Sequence, residues 1–199
     1  MKTRISATIA TLCASAALAS ACASSGAKAP STSAAIASDA ATRAEAIAIR
    51  LARGEQAYEA GDKGTLTDVV TALTASRIKP LDESQTDTLA MWQAASGAKL
   101  PPFRGRLLGP AYVRGELAPG EVWRSAQTFK SGEASTLSVA HKGLGPVRMK
   151  VSDAKAREVC TQRPLKSLAC RFTPMFTQRY EIELTNEGDG NAVYFLVFD

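Results

Sequence analysis

Histidine occurs once in this 199-residue chain, at His141, and cysteine only four times. Any Ser-His-Asp or Cys-His arrangement therefore has one choice of base, and a Cys/His metal site has few ligands to draw on. No Gly-x-Ser-x-Gly nucleophile elbow occurs. Aromatic residues make up 6% of the chain, and no RNA-binding signature with stacked aromatics is present, so nucleic acid is not expected as a partner. No apolar run reaches the roughly 20 residues of a membrane-spanning helix, and no acidic residue precedes Asp39. What remains, 45% hydrophobic and 22% charged, excludes collagen, a coiled-coil rod and a fully disordered chain. The length fits one large or two small domains.

The opening residues read as an address. Lys2 and Arg4 precede a short apolar stretch from Ile5 to Leu18, followed by small residues. A basic start, a short apolar core and a small-residue exit make an export signal that is too short for a permanent span. The segment ends Leu18-Ala19-Ser20-Ala21-Cys22, which resembles the lipobox of bacterial lipoproteins. The match departs from the family pattern at Ala19, where Leu is preferred, although Leu18 is adjacent. The resemblance implies a leader over 1–21, acylation of the Cys22 thiol (palmitate among the chains), and cleavage that leaves Cys22 as the new N-terminus. Ala23 after the cysteine resembles the pattern sorted to the outer membrane, facing the periplasm or the cell surface. The alternative is an ordinary signal peptide cleaved after Ala19-Ser20-Ala21 or Ala21-Cys22-Ala23. Loss of Lys2 and Arg4 with the leader lowers the formal charge from +5 to +3. Residues 22–38, rich in Ala, Ser and Thr, offer few large side chains to bury and read as a flexible tether.

Residues 39–99 are expected to be helical. Thr42 and Glu45 form a Thr-x-x-Glu capping box. Ile47, Leu51 and Tyr58 follow on one side at helical spacing, and Gly61 is a stop. A second helix carries Leu66, Val69, Val70 and Leu73, with Pro80 limiting its length. A third begins near Asp82 or Ser84, bears Leu89, Met91 and Trp92, and stops at Gly97. The run Ala57-Tyr58-Glu59-Ala60-Gly61-Asp62 resembles the turn of a tetratricopeptide-type hairpin, but only half of one repeat is covered and no second copy follows. A helical hairpin or three-helix unit is the expectation.

From Pro101-Pro102 onward the pattern changes to period-two alternation. Val147, Met149 and Val151 alternate with Arg148 and Lys150, and Tyr180, Ile182 and Leu184 alternate with charged residues, as on half-buried strands. Val193 to Phe198 is apolar on both sides, which predicts a central strand. Further strands are predicted at 111–117, 121–129, 134–140, 157–161 and 168–173, with Asn186 to Asn191 as a hairpin turn. About eight strands over 100–199 predict an antiparallel β-sandwich, and the whole chain an α+β fold.

This segment also resembles bacterial pre-peptidase C-terminal domains over roughly 108–199. The residues that carry the resemblance are Asp153 after Val-x-Met-x-Val, Val159-Cys160, Cys170-Arg171-Phe172-Thr173-Pro174, Tyr180-Glu181-Ile182, Asn186-x-Gly188, Asn191 and Tyr194-x-Leu196. It implies a jelly-roll-like accessory module, generally non-catalytic, some members of which bind calcium or polymeric substrates.

With Cys13 in the leader and Cys22 assigned to lipid, Cys160 and Cys170 remain as an even pair in an oxidising compartment, which predicts a disulfide. The alternative, two thiols of a metal site, has only His141 to add. For catalysis, His141 lies in His141-Lys142-Gly143-Leu144-Gly145, read as a loop after a strand. Ser-x-x-Lys occurs at Ser25, Ser76, Ser96 and Ser152, without the Ser-Asp-Asn and Lys-Thr-Gly partners of a Ser-Lys enzyme. Glu187, Asp189 and Asn191 offer oxygen ligands for calcium in one turn. Arg104, Arg106, Arg114 and Arg124 give the last hundred residues a basic start, and Trp92, Tyr112 and Trp123 are contact candidates.

These features point to a non-catalytic, lipid-anchored bacterial envelope protein whose sandwich binds an envelope protein or a glycan. No cofactor and no resident metal are called for. The alternatives are a secreted hydrolase or its accessory subunit using His141, and an assembly subunit docking a protein through the helical hairpin.

Overall fold

The computed structural model describes residues 42–82, 87–99, 109–143, 145–162 and 167–199. The expected leader (1–21), Cys22 and the expected tether (22–38) lie outside the described residues, as do Arg104 and Arg106. Among the described residues no helix is long and apolar enough to cross a membrane.

Three helices precede and cover a pair of sheets. Helix α1 spans Arg43–Ala60 and begins at Thr42, whose hydroxyl accepts a hydrogen bond from the Glu45 N–H at 3.0 Å. It ends at Gly61, which takes the left-handed conformation (φ 67°) that glycine adopts without steric cost. Ile47 and Leu51 are buried as the spacing predicts. Tyr58 is not, because the last turn instead directs Ala57 into the core, and Glu59 pairs with Lys142. Helix α2 spans Lys63–Ala75, capped by the Asp62 carboxylate on the Thr65 N–H, and buries Leu66, Val69, Val70 and Leu73. It stops well before Pro80, where Arg77 turns to a positive φ of 55°. Pro80 belongs to a two-residue strand, β1 (Lys79–Pro80). Helix α3 spans Thr88–Ser96, later than the expected start, because Asp87 supplies the cap by accepting from the Leu89 and Ala90 N–H groups.

All eight strands expected from the sequence are present: β2 (Ala111–Leu117), β3 (Val122–Phe129), β4 (Ser135–Gly143), β5 (Val147–Ser152), β6 (Glu158–Gln162), β7 (Ser167–Phe172), β8 (Gln178–Asn186) and β9 (Ala192–Phe198). With β1 they form a five-stranded sheet ordered β1-β2-β9-β4-β7 and a four-stranded sheet ordered β3-β8-β5-β6. Every pairing is antiparallel except β1 with β2, so the fold is α+β with a sandwich.

Strand β9 shows why its sequence lacks a polar side. One face, Tyr194 and Leu196, packs between the two sheets with Val113, Val139, Met149, Ile182 and Leu184. The other, Phe195 and Val197, packs with Ile47, Leu51, Leu73 and Trp92 of the helices. Helix α1 lies against β4 and β9. Residues 38–199 consequently form one compact unit. The expected division into 39–99 and 100–199 is thus a change of secondary structure within a shared core: neither the helices nor the outer face of the first sheet would be covered alone.

Candidate functional site

His141 lies within β4, not in a loop, because the strand continues through Gly143 (φ 144°), a conformation that side-chain-bearing residues rarely adopt. It sits opposite Tyr194 in the register, and Tyr194 in turn lies opposite Gly115. A Cβ at Gly115 would come within 2.5 Å of the Tyr194 hydroxyl, so glycine leaves room for that ring. His141 Nε2 donates to the Gly145 carbonyl at 2.8 Å, which leaves Nδ1 unprotonated; Nδ1 is buried with no partner. Burial lowers the His141 pKa below the usual imidazole value, partly offset by the Gly145 hydrogen bond. Burial likewise pushes the Tyr194 hydroxyl well above the usual phenol value. Among the described residues no carboxylate orients His141 and no nucleophile is hydrogen-bonded to it.

The calcium candidates occupy a corner and not a hairpin turn, since β8 and β9 belong to different sheets. Asn186, fully buried, builds that corner: its amide donates to the Leu117 and Gly190 carbonyls at 3.0 and 2.8 Å, and its oxygen accepts from the Gly188 N–H. Glu187 is turned to Arg148, with Oε1 2.9 Å from Nε. The Asn191 amide donates to Glu116. Among the described residues no group of three or more His, Cys, Asp or Glu side chains converges as metal ligands.

The other candidates divide similarly. Ser76 and Ser96 hydroxyls donate to carbonyls of their own helices, Ala72 and Gln93, and Ser152 ends β5; Ser25 lies outside the described residues. Arg114 forms a two-pronged pair with the buried Glu55, which raises the Arg114 pKa. Arg124 pairs with Glu183 at 2.8 Å. Trp92 and Tyr112 are buried in the core, so neither is a contact residue. Burial pushes the Tyr112 hydroxyl up to about 12. Asp153, read from the resemblance, holds the β5–β6 turn by accepting from the Lys155 and Arg157 N–H groups and the Arg157 guanidinium. Those bonds hold its carboxyl below the usual range, the Arg157 N–H first among them.

Cys160 and Cys170 are joined, with Cα atoms 6.1 Å apart. The bond ties edge strand β6 of one sheet to edge strand β7 of the other and closes that side of the sandwich. The metal-site alternative for these thiols is therefore set aside.

The opposite side is open. A cleft of about 790 Å³ there is lined by Leu81, Asp82 and Val113 together with Trp123, Arg124, Ser125 and Gln127 of β3. The outer edge of β3 pairs with no other strand among the described residues. Trp123 is half-buried and packs on Tyr194, with ring centroids 5.6 Å apart. Of the residues around this cleft, the sequence pointed only to Trp123 and Arg124. Asp82 and Leu81 join it through the β1 pairing, which two residues without alternation do not announce.

No protein-family model matches the chain, and no curated protein matches it. Several solved structures align with about half of it. One is the pre-peptidase C-terminal domain of a collagenase from Bacillus anthracis, 15% identical over 45% of this chain and 88% of that one, with a TM-score of 0.40. Another is PliG of Aeromonas hydrophila, a periplasmic inhibitor of g-type lysozyme, 13% identical over 45% of this chain and 84% of that one, with a TM-score of 0.35. The likeness is to a β-sandwich and reaches no further.

Proposed function

We propose that the chain is a non-catalytic, lipid-anchored protein of the bacterial envelope that binds a hydroxyl-rich glycan in the cleft beside β3. Cys22 is the acylation site, residues 22–38 are the tether, and the outer membrane is the location. The observation that carries the binding role is the lining of the cleft. Trp123 offers an aromatic face for a sugar ring. Asp82, Arg124, Ser125 and Gln127 add donors and acceptors around it. Support for export comes from the Leu18-Ala19-Ser20-Ala21-Cys22 run and from a disulfide of the kind that persists in oxidising compartments.

The anchor is tested by mass: Cys22→Ser should lose the acyl mass and leave the membrane fraction, and retention there would count against acylation. Binding is tested with soluble peptidoglycan fragments as probe, following Trp123 fluorescence while the buried Trp92 stays constant. Saturable change is expected, weakened about tenfold by Gln127→Ala for the loss of one ligand hydrogen bond. A flat titration, or one indifferent to Gln127→Ala, would refute the glycan reading.

A further inference from the structure

The two most exposed large apolar side chains of the described residues are adjacent: Met175 is 81% exposed and Phe176 68%. They occupy the connection between β7 and β8, which crosses one end of the sandwich from sheet to sheet. An exposed apolar pair on a slack loop would mean little, but this loop is held from below. The Gly132 N–H donates to the Pro174 carbonyl at 2.9 Å, the Ser131 hydroxyl to the Met175 carbonyl at 2.7 Å, and the Ser131 N–H to the Thr177 hydroxyl at 3.0 Å. Pro174 is buried. Beneath lie three mutually packed rings, Phe129, Phe172 and Tyr180, with centroids 5.1–5.6 Å apart. The backbone is fixed, and it is fixed with its two apolar side chains in water. That arrangement costs free energy unless something covers them.

Two further observations say what. Strand alternation directs Cys170 and Tyr180 inward, so Arg171 and Arg179 project from the outer faces of the two different sheets, one on each flank of the loop. Both are exposed, and neither has an ion-pair partner among the described residues. The same end of the sandwich also receives the start of α1. Arg43 pairs with Asp199 at 3.4 Å, and Asp199 exchanges backbone hydrogen bonds with Thr136, which lies opposite Arg171 in the register. Thr42, the first described residue, therefore lies at the end that bears Met175 and Phe176.

We infer that the 173–177 loop is a membrane-seating wedge: Met175 and Phe176 enter the apolar edge of an anionic bilayer while Arg171 and Arg179 meet lipid phosphates on either side. Interfacial insertion of apolar tips with flanking cations follows the energetics of peripheral membrane binding, in which guanidinium groups stay at headgroup depth as their stems follow the apolar part. A tether that joins the body at this end makes the orientation self-consistent. The inference rests on the proposed anchor only for that orientation.

The test places an indole at the tip. The Phe176→Trp chain, purified as the cell matures it, is combined with vesicles of phosphatidylethanolamine and phosphatidylglycerol carrying brominated acyl chains. The parent protein's spectrum is subtracted. The added fluorescence should shift to the blue and be quenched by bromine. Arg171→Gln with Arg179→Gln, or neutral phosphatidylcholine vesicles, should shift the tip's own insertion equilibrium toward water about tenfold, read as lost quenching. A solvent-like, unquenched indole would overturn the inference, as would equal quenching in neutral vesicles. A blue shift that grows with protein concentration in the absence of lipid would assign the tip to a second copy of the chain instead. Acylation is read separately from the mass of the same sample. An acylated chain with an unquenched tip defeats the wedge alone, and a quenched tip on an unacylated chain defeats only the anchor.

Discussion

Glu55 of α1 and Arg114 of β2, 59 residues apart, meet between the helical layer and the first sheet as a two-pronged ion pair. The Glu55 side chain is 4% exposed and that of Arg114 36%. A buried carboxylate is tolerated there because the guanidinium fork satisfies both of its oxygens. Arg114→Ala strands that charge and should destabilise the protein by about 3 kcal/mol, the low end for a buried pair because Arg114 retains some contact with water. Arg124→Ala breaks a surface pair with Glu183 and should cost about 0–1 kcal/mol. Denaturant midpoints for the two variants would reveal the ranking, and equal losses would mean the helical layer is not held by this contact.

Gly54 stands in the middle of α1, where alanine ordinarily gains about 1 kcal/mol over glycine. Here a Cβ would come within 2.4 Å of the Trp92 ring, which fills the space between α1 and α3. Trp92 is fully buried and also packs against Phe195, so it has little freedom to withdraw. Gly54→Ala should therefore destabilise by about 1–3 kcal/mol through overpacking, against its helix propensity. A stabilised Gly54→Ala protein in thermal unfolding would show that the Trp92 ring moves aside.

The strands were legible because each sheet buries one side of most of its strands, and period-two alternation records one-sided burial directly. The same logic read β9 as central, from an apolar run with covers on both sides. Sheet membership was not legible. The residues Asn186 to Asn191 carry turn chemistry that serves a hairpin or a corner between sheets equally well, and only the burial of Asn186 against Leu117 and Gly190 distinguishes them. The glycines after His141 hid a strand that runs on through Gly143. Met175 and Phe176 look in sequence like core residues beside a strand. Their exposure comes from hydrogen bonds to Ser131 and Gly132, some forty residues away, which no local pattern encodes.

The disulfide joins the two sheets at their edges across a sequence separation of ten. Closing a loop of that size in the unfolded chain should stabilise the native state by about 3 kcal/mol in the chain-entropy account. Cys160→Ala with Cys170→Ala should lower the unfolding free energy by that order while the native far-ultraviolet dichroism persists, since the sheets also share a core around Met149, Ile182 and Leu196. Peptide mapping without reductant should yield one linked pair. Two free thiols in protein taken from the envelope would contradict both the bond and the compartment.

The lone histidine makes a pH effect assignable to one group. His141 is held neutral in the fold: burial lowers its pKa, and protonating Nδ1 would leave a buried N–H without a partner. The unfolded chain, with an ordinary value near 6.5, takes up its proton first as pH falls. The neutral, half-buried imidazole therefore contributes stability that is fully present above about pH 6.5 and is lost progressively as pH drops from there toward the lower folded value. Its ring proton resonances should titrate with a midpoint below about 6.5, and the denaturation midpoint of the wild type should fall faster below that pH than that of His141→Gln. A midpoint above 6.5, or parallel pH curves for the two proteins, would mean the imidazole is solvated and that β4 releases it at the Gly143 end.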